Sequence, residues 1–69
     1  MSNSAKVELV LTLHFETEKA YYVSDTGHYH DGKFVPKSQV TITSKKVGNG
    51  VHLIEAEMPE WLAADKRFI

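Results

Sequence analysis

The sequence predicts a small, mainly β domain of five to six short antiparallel strands with one short C-terminal helix. Three observations carry this. Apolar residues recur at every second position from Val7 to Phe15. Asp31-Gly32 and Asn49-Gly50 punctuate the chain with strong turn signals. A helix-compatible stretch follows Pro59.

The elements follow in order. Val7, Leu9, Leu11, Leu13 and Phe15 alternate with Glu8, Val10, Thr12, His14 and Glu16. Period two is the mark of a half-buried strand, and the spacing does not fit a helix. Glu16-Thr17-Glu18 reads as a turn into a second strand, Lys19-Ala20-Tyr21-Tyr22-Val23, since Tyr and Val favour strands. Ser24 to Gly27 is a further turn. Asp31-Gly32 is expected to form a type I′ turn between a short His28-Tyr29-His30 strand and Lys33-Phe34-Val35. Pro36 lacks an N–H and ends that ladder, opening a 3₁₀-like turn over residues 36–39. Val40 to Thr43 resumes as a strand, and Asn49-Gly50 closes a hairpin with positive φ.

Val51 to Met58 is the next strand, and its faces are ambiguous because Leu53 and Ile54 are adjacent. The face bearing His52, Ile54, Ala56 and Met58 is expected inward near the strand's C-terminal end. Residues 60–67 form a two-turn helix, with Glu60 near its positive end and Lys66 and Arg67 near its negative end. Trp61, Leu62 and Phe68 are expected to pin it to the sheet. At this length the strands form a small meander or a partly open barrel of SH3 or OB type. Sheet edges left exposed make a homodimer a candidate assembly.

Composition sets the bounds. Sixty-nine residues make one domain, 1–69, with residues 1–5 expected to be flexible. There is no Cys, so no disulfide scaffold, and the residue pattern fits a cytosolic chain. No apolar run reaches membrane-spanning length, and the opening residues lack the pattern of a signal peptide, so no membrane association is expected. Eight basic and nine acidic residues leave a net charge of −1. Residues 1–35 carry three basic and five acidic groups, and residues 36–69 five and four. A pI near 6.4 is far from the strongly basic balance of a protein that binds phosphates by charge alone.

Phe34-Val35-Pro36-Lys37-Ser38-Gln39-Val40 and Met58-Pro59-Glu60-Trp61-Leu62-Ala63 resemble two short motifs of small uncharacterised proteins of bacteriophages and other mobile elements. Those proteins carry an aromatic-aliphatic-Pro-Lys-Ser-Gln turn and a C-terminal Pro-Glu-Trp-Leu-Ala helix. Lys19-Ala20 also fits, so the resemblance runs over most of residues 16–69. It implies a phage or prophage origin and residence in the bacterial host's cytoplasm, and it carries over no activity and no site residues. The turn around Pro36 is separately similar to the 3₁₀ turn of SH3 domains; that likeness is local, and peptide binding does not follow from it.

Candidate chemistry is sparse. His28-x-His30 beside Asp31 would share a face on a strand, but zinc needs a third and usually a fourth ligand, so two solvated His side chains are expected and no metal or cofactor. A Lys37–Ser38 nucleophile pair is set aside because neighbours on one turn rarely converge. Glu55 and Glu57 share a strand face, where paired carboxylates can do acid–base work; a solvated face accounts for them. An enzyme is therefore not expected. A binding surface is better supported. Tyr21, Tyr22, Tyr29 and Phe34 are dense for so short a region, and Tyr is enriched at protein interfaces. Tyr21 and Tyr22 must face opposite ways on a strand. The expected function is binding to a host or phage protein. The alternative is a nucleic-acid binder in which Tyr21 or Tyr22, together with Tyr29, stacks on bases while Lys33, Lys37, Lys45 and Lys46 meet phosphates. The Lys45-Lys46 pair also suits an edge protected by charge.

Overall fold

A computed structural model describes residues 5–69; the flexibility expected of the first residues falls mostly outside that span. Five antiparallel strands form one open sheet: β1 (Lys6–Glu16), β2 (Ala20–Ser24), β3 (Lys33–Pro36), β4 (Thr41–Gly48) and β5 (Val51–Pro59), in the order β3-β2-β1-β5-β4. A short helix, α1 (Glu60–Asp65), follows β5. The fold is mainly β, as the alternation and turn signals predict. No helix among the described residues is long and apolar enough to cross a membrane.

One face of the sheet is the core. Leu11, Leu13, Val23, Val35, Ile54, Ala56 and Met58 are buried there with Val40, Leu62, Ala63 and Phe68. The inward side of β5 is the one expected, since Met58, Ala56 and Ile54 pair with Val7, Leu9 and Leu11. The helix ends in a left-handed residue, Arg67 at φ 63°. The Phe68 N–H then reaches back to the Ala63 carbonyl at 2.8 Å, which turns the Phe68 ring into the core. At the other end, the Glu60 N–H is satisfied by the Ala5 carbonyl at 3.0 Å, tying the helix start to the start of β1.

The link from β3 to β4 joins the two edges of the sheet. It contains the expected 3₁₀ turn at Lys37–Gln39, preceded by Pro36, and it buries Val40. From Pro36 to Thr41 an extended chain reaches at most about 18 Å. Four interstrand steps in a flat sheet would need about 19 Å. The sheet therefore curls around its core while β3 and β4 remain unpaired edges.

Several expectations need correction. His28-Tyr29-His30 is not a strand: Tyr29–Asp31 is a 3₁₀ turn, and Gly32 sits at φ −71°, so Asp31-Gly32 is not a type I′ turn. β3 pairs with β2 instead. Helix α1 stops at Asp65, two residues short of the expected end, because Arg67 leaves the helical region. Trp61 does not pin the helix and is 62% exposed; Leu62 and Phe68 do that work. Phe15 does not face the core. β1 bulges at His14, so Leu13 pairs with Val23 while Phe15 pairs with Tyr22. One extra residue moves everything beyond it to the other face.

The Asn49-Gly50 hairpin is as expected, with φ of 52° and 76°. A Cβ at Gly50 would meet nothing within 4 Å, so backbone conformation alone opposes a side chain there. Gly50→Ala should cost about 1 kcal/mol, read as a lower urea midpoint with an unchanged slope.

Candidate functional site

The sheet face opposite α1 is covered, among the described residues, only by the loop between β2 and β3 with its 3₁₀ turn, and it is rich in aromatic side chains. Three adjacent strands build a row across it. Phe15 on β1 lies opposite Tyr22 on β2, and Tyr22 lies opposite Phe34 on β3. Ring centroids are 4.9 Å apart in the first pair and 4.8 Å in the second. Both distances are favourable for aromatic contact.

The loop between β2 and β3 lays a fourth ring on this row. Tyr29 stands 5.1 Å from Tyr22 and 5.4 Å from His14. The Tyr22 hydroxyl donates to the Tyr29 carbonyl at 2.9 Å, which fixes the loop to the strand beneath. The loop is tied down again at its start. Ser24 Oγ accepts the Gly27 N–H at 3.1 Å and lies 2.8 Å from His14 Nε2. Ser24 is fully buried by this arrangement. The Thr26 hydroxyl donates to Asp31 Oδ2 at 2.9 Å, closing the loop on itself.

The rings are ordered by their neighbours yet open to solvent. Tyr29 is 59% and Phe34 48% exposed, and Phe15 is also exposed. The apolar surface continues along the same face through Leu53, opposite Thr12, to Val10, opposite Glu55. A shallow depression of about 160 Å³, lined by Val10, Ser44, Lys46, Leu53, Ile54 and Glu55, lies there. Its volume is below the common range for small-molecule sites, roughly 300–1,000 Å³. A second hollow of about 410 Å³, lined by Thr12, His14, Gly27 and His52 among others, lies beside the Tyr29 loop.

The residues expected from sequence are split between the two faces. Tyr22 and Tyr29 belong to the aromatic face, as does Lys46, which lies opposite the outward Leu53. Tyr21 lies opposite buried Val35 and packs against the core side. Lys37 Nζ sits 5.1 Å over the Tyr21 ring and 3.7 Å from Glu16 Oε2. Lys33 lies opposite Val23, with Nζ 5.9 Å from the centre of the Phe68 ring. Lys45 lies opposite buried Ile54. Three of the four expected lysines thus stand on the helix side, away from the exposed rings. Phe15 and His14 join the aromatic face unforeseen, and no local signal in the sequence marks the bulge that puts Phe15 there.

His28 and His30 stack with ring centres 5.8 Å apart, but on a 3₁₀ turn, not on the strand expected. Among the described residues no group of three or more His, Cys, Asp or Glu is placed to hold a metal ion. Lys45 and Lys46 lie on edge strand β4, which also bulges between Ile42 and Ser44. Both devices discourage pairing with another edge. Comparison with protein-family models, with curated proteins and with solved structures finds no match to this chain.

Proposed function

We propose that this chain is a non-enzymatic binding module of phage or mobile-element origin, acting in the host cytoplasm by docking a host or phage protein. The observation that carries the reading is the uncovered row Phe15–Tyr22–Phe34 with Tyr29 laid upon it. Rigid, half-exposed aromatics lose little entropy on contact and dominate the energetics of protein interfaces. The separation of Lys33, Lys37 and Lys45 from these rings argues against the stacking-and-phosphate arrangement expected of a single-strand binder. A second copy is a weaker candidate for the partner, because Pro36 on β3 and the bulge and lysines on β4 blunt both edges.

The test compares wild type, a Tyr29→Ala/Phe34→Ala variant and a Lys33→Ala variant as baits in host lysate, each first shown to be folded by circular dichroism. Proteins held by wild type and by Lys33→Ala should be depleted about tenfold or more by the aromatic double variant. Equal capture by all three baits would refute the reading. Titration of labelled single-stranded oligonucleotide should give no binding that weakens steeply between about 50 and about 200 mM salt. Such binding would put a nucleic acid in the protein partner's place.

A further inference from the structure

We infer that the partner segment taken by this face is cationic: an extended, arginine-bearing stretch of protein laid from the aromatic row to Glu8, Glu55 and Glu57. This rests on the docking reading above and adds the chemistry of what docks.

The net charge of −1 hides a segregation. Register places Glu8, Glu55 and Glu57 on the outer face, with Lys6 and Lys46 as its basic residues. The loop that carries Tyr29 over this face adds Asp25 and Asp31. Lys33, Lys37 and Lys45 stand on the other side with Lys66 and Arg67 after α1, against Glu16 and the Glu60 and Asp65 of α1, so that side is net positive and the ring-bearing side net negative. The surface that offers the exposed rings is therefore the acidic one.

The carboxylates are also arranged against their own interest. Glu8 lies directly opposite Glu57, and Glu55 is diagonal to Glu8 on the same face. Like charges opposite one another in a sheet are unfavourable. The one ion pair among the described residues, Lys37–Glu16, involves none of them. Glu8 Oε2 has a partner in the Thr43 hydroxyl at 2.6 Å, which is neutral. A bound cation would relieve the repulsion.

Rings and carboxylates ask for the same group. A guanidinium stacks on aromatic faces and donates two parallel N–H bonds from its planar fork to a carboxylate, so arginine suits both ends better than lysine. From Phe15 to Glu8 the strand advances about 23 Å, so an extended segment of about seven residues spans the face. Leu53 and Val10 form its floor between the two ends.

The test is fluorescence anisotropy with labelled peptides of about nine residues that alternate Ser with Arg, with Lys or with Glu. The Arg peptide should bind the wild-type protein, the Lys peptide more weakly and the Glu peptide not at all. Phe34→Ala and Glu57→Gln should each weaken the Arg peptide about threefold to tenfold, and Lys37→Ala on the far side should leave it unchanged. Glu57→Gln should also raise the melting temperature of the free protein by a few degrees, which shows that the variant folds. The inference is overturned if the Arg peptide ignores Phe34→Ala and Glu57→Gln, if the Glu peptide binds equally, or if an oligonucleotide competes for the face. If no cationic peptide binds while Phe34→Ala still releases captured proteins, the cationic assignment fails and the docking reading stands. If Phe34→Ala releases nothing, both fail.

Discussion

Ile54→Ala should lower stability by about 2–5 kcal/mol, a large share of what a domain of this size has, whereas Val10→Ala should leave its stability within about 0.5 kcal/mol of wild type. Ile54 is 1% exposed and lies at the middle of the core face, opposite Leu11 on β1 and Lys45 on β4. Truncating a buried Ile to Ala costs about 2–5 kcal/mol, the transfer of the lost methyls plus the cavity left behind. At 0.05–0.15 kcal/mol per residue a domain of this size has only about 3–10 kcal/mol to lose. Val10 sits on the adjacent strand position row but points the other way and is 62% exposed. Urea unfolding followed by tryptophan fluorescence reads both, through Trp61. The pair also tests the uncovered face. If Val10→Ala cost as much as Ile54→Ala, that face would be buried in solution, and a second copy would be the first candidate to cover it.

The contrast shows what periodicity can and cannot reveal. Val7, Leu9, Leu11 and Leu13 announce an inward face because each interacts with the core through the same two-residue repeat. The repeat predicts Phe15 inward as well. It fails there because His14 is an extra residue opposite no partner, and a bulge is decided by what β2 offers across the ladder. The candidate site was hidden for the same reason. Tyr22, Tyr29 and Phe34 are legible as a local excess of aromatics, but only the bulge brings Phe15 beside them. The lysines went astray by a related route. Lys33 and Lys37 are near Tyr29 and Phe34 in sequence, yet strand alternation and the turn after Pro36 send them to the helix side. Adjacency along the chain is a poor guide to a shared face when the chain is extended.

The two turn dipeptides sharpen the point and lead to a second large effect. Asn49-Gly50 and Asp31-Gly32 look alike in sequence. Gly50 is glycine for its positive φ, whereas Gly32 has an ordinary extended φ of −71°. Its need is for space. A Cβ on Gly32 would run into Cε2 and Cζ of Tyr22, so the glycine is the floor on which the central ring of the aromatic row lies. Gly32→Ala must push that ring aside. A side-chain tip can usually move cheaply, but this ring has Phe15 and Phe34 beside it, at 4.9 and 4.8 Å between centres, and Tyr29 at 5.1 Å. Its hydroxyl also holds the Tyr29 carbonyl. Overpacking of this kind costs about 1–3 kcal/mol, and here the cost falls on the candidate site as well as on stability. Gly32→Ala should lower the urea midpoint and, at temperatures where the variant is still folded, reduce partner capture as much as Phe34→Ala does. Tyr22→Phe separates the two contributions. It keeps the ring and loses only the hydroxyl bond, so it should loosen the loop, seen as faster amide exchange at residues 27–31, with a smaller loss of capture. Gly32→Ala with full stability and full capture would mean that Tyr22 has somewhere else to go, and that the order of the aromatic row is not what the binding face depends on.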